Sequence, residues 1–260
     1  MNISVCCPSY KRPVVKTLKY LPFCKVYVDG SEYYDYVKEN PNANIVRCAD
    51  GVQGNVARVR NYILDQEFAN GADAVCIVDD DLSGIYRYDA DEKTKFGYNR
   101  KLLPREEVLF FLESNTILCD EFGYKLWGLN CNSDKLSYRH WAPFSMSSII
   151  LGPFCCHLKN DIRYDEKLPL KEDYDLAIQH LNKYRGILRL NGYHYMCEQS
   201  TNKGGCAAMR NRKREKEQFE LLQKKWGSNI VREDKSNKGK TKKVKAFDYN
   251  PIIKVPIKGI

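Results

Sequence analysis

The stretch Ala74-Val75-Cys76-Ile77-Val78-Asp79-Asp80-Asp81 decides the fold, because a short apolar run leads directly into three acids. The run is rich in β-branched residues and follows Asn70-Gly71, so it predicts a buried strand covered on both faces. Ligands of open α/β sheets collect beyond the carboxyl ends of such strands. Three crowded carboxylates repel one another unless a cation joins them, which favours a divalent metal with oxygen ligands. A loop of acids that caps a helix or faces water is the alternative.

The chain before this stretch alternates between strand-like and helix-like segments. The sequence predicts strands over residues 3–7, 25–28 and 44–48, and helices over residues 32–39 and 55–68. Such alternation is typical of a parallel, doubly wound α/β sheet.

The second half of the chain is less regular. The polar stretch 84–97 predicts a loop or a hairpin. Strands are predicted over 126–131, 147–151 and 187–197, the last one broken at Asn191-Gly192. Apolar periodicity predicts further helices over residues 104–118, 171–184 and 210–226.

Composition limits the class of protein. No apolar run approaches the roughly 20 residues of a membrane span, and the first residues lack the basic and long apolar regions of a secretion signal. The 11 cysteines include no Cys-x-x-Cys pair. Adjacent cysteines such as Cys6-Cys7 and Cys155-Cys156 point to opposite faces of a strand, which suits neither a shared metal nor a disulfide. We therefore expect reduced, buried thiols in a cytoplasmic protein without a membrane partner.

Positive charge is concentrated towards the C-terminus. Residues 208–260 hold 16 lysines and arginines against 6 acids, whereas the rest of the chain is close to neutral and the whole carries +9. A polyanionic partner could bind there, and a solvated basic tail is the alternative. Residues 236–245 have the composition of a mobile linker, and the apolar residues of 251–260 could dock back on the body.

Two loops at predicted strand ends have the side chains to hold a nucleotide. After the first strand, Pro8 begins a loop in which Tyr10 could stack on a base and Arg12 could reach a phosphate. Asp29 ends the second strand and could accept a hydrogen bond from a base N–H.

Two further features lie at the same predicted edge. Gly54 lets the backbone approach a ligand, and the helix N-terminus that follows, with Arg58 and Arg60, favours anions. A surface ion pair is the alternative for either arginine. Asp79 and Asp81, at i and i+2, could share one metal ion.

These motifs together resemble the GT-A fold of nucleotide-sugar glycosyltransferases. The resemblance rests on Val5-Cys6-Cys7-Pro8-Ser9-Tyr10-Lys11-Arg12, Val28-Asp29-Gly30-Ser31, Arg60-Asn61 and Val78-Asp79-Asp80-Asp81. Over nearly the whole chain, the sequence resembles the TET-associated glycosyltransferases of phages. This closer resemblance also rests on Lys171-Glu172-Asp173-Tyr174-Asp175, Asn202-Lys203-Gly204-Gly205-Cys206, Lys225-Trp226-Gly227 and Asn250-Pro251-Ile252-Ile253.

The resemblance implies a fold and a domain organisation. The fold is a doubly wound mixed sheet, mostly parallel, with helices on both faces and a basic helical extension at the C-terminus. The catalytic domain would span residues 1–206, with a nucleotide-sugar half at 1–81 and an acceptor half at 82–206. Residues 207–260 would form the basic helix, linker and docking tail. A phage-encoded protein in the bacterial cytoplasm is also implied.

The resemblance also implies an activity: a hexose, expected to be glucose, moves from a UDP-sugar to a hydroxymethylated pyrimidine in DNA. A polysaccharide or glycoconjugate acceptor is the alternative. Asp79 and Asp81 would hold Mn²⁺ or Mg²⁺, which neutralises the leaving diphosphate. The residues expected to bind the donor are Pro8, Tyr10, Arg12, Asp29, Gly54, Arg58, Arg60, Asn61, Asp79, Asp80, Lys203 and Gly204.

Glu172 and Asp173 open a predicted helix, where the helix dipole favours an ionised carboxylate. In an inverting enzyme of this family one of them acts as general base, and we favour Asp173 over Glu172. The alternative is that both only complement the helix dipole. His194 could be a third metal ligand or a packed strand residue, and Lys203 could instead meet the diphosphate.

Several aromatic residues lie between the acids and the expected base in the sequence: Trp127, Tyr138, Trp141 and Phe144. Such rings could stack on an extruded base or on a sugar. They could equally be core residues, and this is the favoured interpretation for Trp127.

Overall fold

The structure, a computed structural model, describes residues 1–197, 210–234 and 249–255. The α-helices in these ranges are α1 (Tyr33–Glu39), α2 (Val56–Ala69), α3 (Arg105–Glu121), α4 (Glu172–Tyr184) and α5 (Arg212–Trp226), and a short 3-10 helix spans Lys16–Lys19. The strands are β1 (Ile3–Pro8), β2 (Lys25–Val28), β3 (Asn44–Arg47), β4 (Ala74–Val78), β5 (Leu82–Thr94), β6 (Gly97–Leu102), β7 (Leu126–Asn130), β8 (Phe144–Ser145), β9 (Phe154–Leu158), β10 (Leu188–Cys197), β11 (Val231–Glu233) and β12 (Pro251–Ile253).

One large sheet organises these elements, in the order β3-β2-β1-β4-β9-β7-β10-β5-β6. The strands β3, β2, β1 and β4 are mutually parallel, and β10 is parallel to β7. β9 runs antiparallel to both β4 and β7, and the β5–β6 hairpin adds antiparallel strands at one edge. The predicted doubly wound, mixed α/β sheet is confirmed.

The central strand β4 is buried along its whole length, as the sequence predicts. Its side chains alternate between two cores. Ala74, Cys76 and Val78 belong to the core beneath α3, and Val75 and Ile77 belong to the core that α2 and α4 cover. The alternation places helices on both faces of the sheet and directs Asp79–Asp81 to its edge.

The prediction of a strand over residues 147–151 is wrong. The strand that follows in the structure is β9, which begins at Phe154, three residues after the predicted strand ends. Residues 147–151 lie outside regular secondary structure. Ile150 is nonetheless buried, and its side chain fills the space above Gly128, where a Cβ would collide with it. This segment therefore buries apolar side chains although its main chain does not pair with a neighbouring strand.

Two other stretches of the second half differ in detail from expectation. The polar stretch 84–97 forms a hairpin whose first strand, β5, is 13 residues long. The predicted break at Asn191-Gly192 is a local irregularity within one continuous strand, because the pairing of β10 with β7 shifts register between Leu190 and His194. The remaining predicted helices and long strands are found close to their expected positions.

The C-terminal helix α5 packs on α4. A third apolar cluster joins Ile178 of α4 to Phe219 and Leu222 of α5. β11 pairs antiparallel with β12, Ile253 packs against the same cluster, and Val255 packs against the core beneath α2. The chain therefore returns to the body after α5.

The ten cysteines that the structure describes are unpaired thiols, and eight of them are buried. Burial raises the pKa of Cys6 and Cys7, so these thiols are neutral apolar filler. Within the described ranges, no helix combines the length and the apolar character needed to cross a bilayer. The eleventh cysteine, the predicted loop 201–205 and the predicted linker 236–245 lie outside the described residues.

Candidate active site

The three acids after β4 have different environments. The Asp80 side chain is 2% exposed, against 14% for Asp81 and 37% for Asp79. Burial raises the pKa of Asp80 to about 6, although the ion pair with Arg12 at 2.9 Å and the hydrogen bond donated by Ser9 at 2.6 Å oppose the shift. Asp80 therefore fixes the loop, and Asp79 and Asp81 are the acids that a ligand can approach.

Thr17 holds the backbone of this acidic loop. Its hydroxyl donates to the Asp79 carbonyl oxygen at 2.6 Å and accepts from the Leu82 N–H at 2.9 Å. The Asp79 N–H donates to the Pro153 carbonyl oxygen at 3.0 Å. Thr17 is fully buried, and nothing in its local sequence marks it as part of a site.

Arg60 of α2 connects the acidic loop to α4. One terminal nitrogen lies 3.1 Å from Asp79 Oδ1 and the other 3.1 Å from Glu172 Oε1. The Arg60 side chain is 5% exposed, and its guanidinium lies 5.6 Å from the Tyr164 ring centre. Burial alone would lower the pKa of Arg60, but Tyr164, Asp79 and Glu172 outweigh it and raise that pKa. A permanent cation thus joins the two groups of acids.

The two acids that begin α4 differ in access. Burial and the charge of Asp173 raise the pKa of Glu172 to about 8, and Arg60 opposes this shift. Asp173 is only partly buried. Its two carboxylate oxygens accept main-chain hydrogen bonds, from Gly152 at 3.1 Å and from Tyr174 at 2.8 Å. Asp173 is therefore the better placed of the two to meet a ligand.

The loop after β1 lies against the acidic loop through Arg12, which also approaches Asp81 at 3.9 Å. The Tyr36 hydroxyl accepts from the Arg12 N–H at 3.1 Å and lies 2.9 Å from the Ser9 hydroxyl. Tyr10 is half-buried, with the Lys11 ammonium 4.9 Å from its ring centre. The predicted anion-binding Arg12 is thus paired with acids of its own chain.

Asp29 follows β2, and Pro8 ends the neighbouring strand β1. The Ser31 hydroxyl and N–H donate to Asp29 Oδ1 at 2.7 and 3.0 Å, which lowers the pKa of Asp29. The carboxylate is therefore ionised and oriented beside the loop that carries Tyr10.

The start of α2 is occupied by contacts within the chain. Asn55 caps the helix, accepting from the N–H groups of Ala57 and Arg58 at 3.0 and 3.3 Å. The exposed Arg58 pairs with Glu166 at 2.9 Å, which is the surface ion pair named as its alternative. Gly54, before the cap, has φ +88°, a conformation that glycine adopts readily.

Asn61 also contacts the segment around Glu166. Its side chain donates to the Tyr164 carbonyl oxygen at 2.9 Å and accepts from the Tyr164 N–H at 2.8 Å. Of the Arg60-Asn61 pair, only Arg60 contacts the acids, whereas Asn61 fixes the segment under the Arg60 guanidinium.

The donor set for a metal is incomplete in the described part of the chain. There, no group of three or more His, Cys, Asp or Glu side chains is arranged to hold a metal ion. His194 is buried, with its ring stacked 5.5 Å from that of Tyr86. It is therefore a packed strand residue, which is the alternative to a third metal ligand. Burial and the charge of Asp79 raise the pKa of Asp81, so a cation shared by these two oxygen ligands would relieve their repulsion.

Some predicted residues fall elsewhere. Lys203 and Gly204 lie outside the described residues. Trp127 is fully buried and donates to Thr116 Oγ1 at 3.0 Å, so it is a core residue as favoured.

Cys197, which the sequence does not single out, ends β10 beside the acids. Burial, and then the charges of Asp79 and Asp81, raise the pKa of the Cys197 thiol.

Comparison with known proteins finds matches among solved structures. No family model matches the sequence, and no curated protein matches it. Solved structures of S. aureus TarS are similar: TarS 1-349 with TM-score 0.46 and 16% identity, TarS with 0.45 and 17%, and TarS 1-349 in complex with UDP with 0.44 and 17%. Each match covers 75% of this chain, but only 59%, 36% and 59% of the respective TarS chains.

Proposed function

We propose that this protein is a metal-dependent glycosyltransferase that moves a hexose, glucose, from a UDP-sugar to a hydroxymethylated pyrimidine in DNA. The observation that supports it best is the bridge of Arg60 between Asp79 and Glu172. This bridge draws the acids of the β4 edge and those of the α4 N-terminus into one site. A donor held by the first group would therefore lie beside a base from the second.

On the donor side, Tyr10 and Asp29 bind the uracil, in adjacent loops after β1 and β2. Asp79 and Asp81 hold Mn²⁺ or Mg²⁺, which when bound supplies positive charge to the leaving diphosphate. Lys203 and Gly204 are assigned to the same diphosphate through the family resemblance alone. Pro8, Gly54, Arg58 and Asn61 shape the loops around the donor, and Arg12 and Asp80 fix the acidic loop.

On the acceptor side, Asp173 is the general base. It takes the proton of the hydroxymethyl group while the hydroxyl oxygen bonds to the anomeric carbon, and the bond from that carbon to the diphosphate breaks. The main-chain donors from Gly152 and Tyr174 keep the carboxylate oriented for this transfer. Glu172 acts through Arg60 as a positioning residue.

The basic face of α5 supports a polyanionic acceptor. Six of its exposed residues are cationic, against the two exposed acids Glu217 and Glu220: Arg212, Lys213, Arg214, Lys216, Lys224 and Lys225. Lysine and arginine along a phosphate backbone release counterions, so binding through this face weakens steeply with salt.

The test is transfer itself. DNA containing hydroxymethyluracil or hydroxymethylcytosine is incubated with a panel of UDP-sugars and Mn²⁺, and its nucleosides are analysed by mass spectrometry. We expect a hexose adduct with the wild type and with Asp65→Asn, a matched change of an exposed acid on α2. Hexose transfer to a glycoconjugate with none to DNA would favour the alternative acceptor.

The roles of the acids are separated by a second measurement, UDP binding by calorimetry. Asp81→Ala should lose both transfer and the Mn²⁺ dependence of UDP binding, because it removes a cation ligand. Asp173→Asn should lose transfer and retain UDP binding. Equal loss of UDP binding in both variants would contradict the assigned division of roles.

A further inference from the structure

A cleft of about 270 Å³ lies between the tip of the β5–β6 hairpin and the loop that follows β7. Lys93 and Tyr98 line it from the hairpin, and Lys135, Tyr138 and Trp141 line it from the loop. We call it the hairpin cleft.

One wall of the hairpin cleft is a set of packed aromatic rings. Tyr138 is stacked on Tyr88, with ring centres 4.7 Å apart, and meets Tyr98 edge-on at 5.1 Å. The Tyr98 hydroxyl lies 2.8 Å from His140 Nδ1, and the His140 ring contacts Trp141 at 4.8 Å. Tyr88, Tyr98 and Tyr138 are buried, whereas Trp141 is 71% exposed. The set therefore presents one large open ring on a fixed support.

Three cations face the same space: Lys93, Lys135 and Arg139. Within the described ranges, none of the three forms a salt bridge with a carboxylate. Lys93 lies 5.5 Å from the Tyr98 ring centre, and Arg139 donates to the carbonyl oxygens of Leu136 and Tyr138, at 2.6 and 3.0 Å. These contacts hold the Lys93 and Arg139 side chains without pairing either of them with a carboxylate.

The hairpin cleft is separated from the acids by the length of β5, which begins at Leu82 beside them and runs antiparallel to β10 towards the hairpin tip. β4 and β7 both run antiparallel to β9, so their carboxyl ends lie on one side. The loop after β7 begins at Cys131 on that side and reaches the hairpin tip, where the Tyr98 N–H donates to the Lys135 carbonyl oxygen at 3.3 Å. Lys93 follows Leu82 by eleven residues, so the extended strand keeps the hairpin cleft within about 35–40 Å of the acids. At 3.4 Å per base pair this is about one turn of duplex DNA.

We propose that the hairpin cleft is a second binding site, which takes a nucleic-acid strand by stacking a base on Trp141 and pairing phosphates with Lys93, Lys135 and Arg139. An open indole beside several cations fits a polymer that carries both flat rings and negative charge. A polyphosphate would satisfy only the cations, and a neutral glycan only the ring. As a DNA-holding site for the acceptor, the assignment rests on the proposed function.

The intrinsic fluorescence of Trp141 gives a direct test. Of the three tryptophans, Trp127 is fully buried and Trp226 is partly buried, so stacking of a base on the protein surface quenches mainly Trp141. The probe is a single-stranded oligonucleotide about 15 nucleotides long, titrated at several salt concentrations and, in parallel, followed by fluorescence anisotropy. We expect saturable quenching that is absent in Trp141→Phe.

Variants measure the contribution of each group by anisotropy. Trp141→Ala should weaken oligonucleotide binding about 5- to 150-fold, with Trp141→Phe in between, because base stacking is lost or reduced. Lys135→Ala should reduce the slope of the logarithm of the binding constant against the logarithm of the salt concentration by about 1, because one phosphate contact is lost. Phe110→Ala, on the exposed face of α3, is the matched control and should leave binding unchanged.

Several outcomes would overturn the assignment. Binding by Trp141→Ala within about twofold of Phe110→Ala would show that the ring takes no base. Equal quenching by inorganic polyphosphate would reduce the cleft to a general anion site. Failure of the proposed function would give a different result. If the oligonucleotide binds in the cleft but the protein binds no UDP-sugar, the cleft is still a nucleic-acid site and the proposed glycosyltransferase activity is wrong.

Discussion

Replacing Glu215 by glutamine should destabilise the protein strongly, because it breaks the ion pair of Glu215 with Lys171. Both side chains are at most 2% exposed, and Lys171 Nζ lies 2.5 Å from Glu215 Oε2. Among the described residues, the ammonium also contacts Asn250 Oδ1 at 3.3 Å and the Tyr174 ring at 5.9 Å, neither of which carries a charge. Removal of one partner of a buried pair costs about 3–5 kcal/mol.

The expected loss is large enough to measure by thermal unfolding. For a chain of this size about 1 kcal/mol shifts Tm by roughly 2–4 °C, so Glu215→Gln should lower Tm by roughly 6–20 °C. The matched control is Glu220→Gln on the same helix, whose pair with Lys216 is 57% exposed on each side. Its loss should cost about 0.5 kcal/mol or less.

A double variant separates the charge from the packing. Lys171→Met with Glu215→Leu removes the buried pair and keeps the apolar volume, and Arg210, 3.6 Å from Glu215 Oε1, is 37% exposed and can turn to water, so the double variant should recover most of the lost stability. Circular dichroism at 222 nm follows unfolding of the single, control and double variants. A Tm for Glu215→Gln within about 2 °C of the control would refute the reasoning.

Three further changes test the site and its supports. The pKa of Glu172 in the folded protein, about 8, is above its ordinary value, so Glu172 contributes stability at low pH that is lost as pH rises from about 5 through 8. Urea titrations at several pH values should show that Glu172→Gln lacks this pH-dependent loss of stability. Trp226→Phe removes the 2.7 Å hydrogen bond to the buried Asp175 and should cost about 1.5–3 kcal/mol in the same assay. Gly152→Ala should cost at least about 1–2 kcal/mol, since φ is +77° and a Cβ would collide with the Tyr195 hydroxyl, and a Tm equal to wild type would contradict this.

The arginines of α2 illustrate which part of the site could be predicted from sequence. Arg58 and Arg60 are two positions apart, so they point to different sides of a helix and only one can face the acids. Sequence alone does not say which, because the buried side of α2 depends on how it packs on the sheet. The structure places Arg60 inward at 5% exposure and Arg58 at 45%, paired with Glu166.

The strand β9 shows why part of the fold was not predictable. Ile149 and Ile150 are β-branched and indicate a strand, yet they are packed by a segment without ladder hydrogen bonds. The actual strand, Phe154–Leu158, contains two cysteines and a histidine, whose strand preference is weak. Its antiparallel place between β4 and β7 is set by tertiary pairing, which a local pattern does not encode.

The pair of Lys171 with the C-terminal part of the chain has a consequence for synthesis on the ribosome. Lys171 precedes the Glu172-Asp173 pair and contacts Asn250, which is 79 positions away in the chain. Since a nascent chain emerges from its N-terminus, the acids of the β4 edge can assemble early, but the helix bearing the expected base is not fully buttressed until residue 250 has left the exit tunnel. Under the proposed function, the acids of the β4 edge would be in place before the helix that carries the proposed base is held by the C-terminal part of the chain.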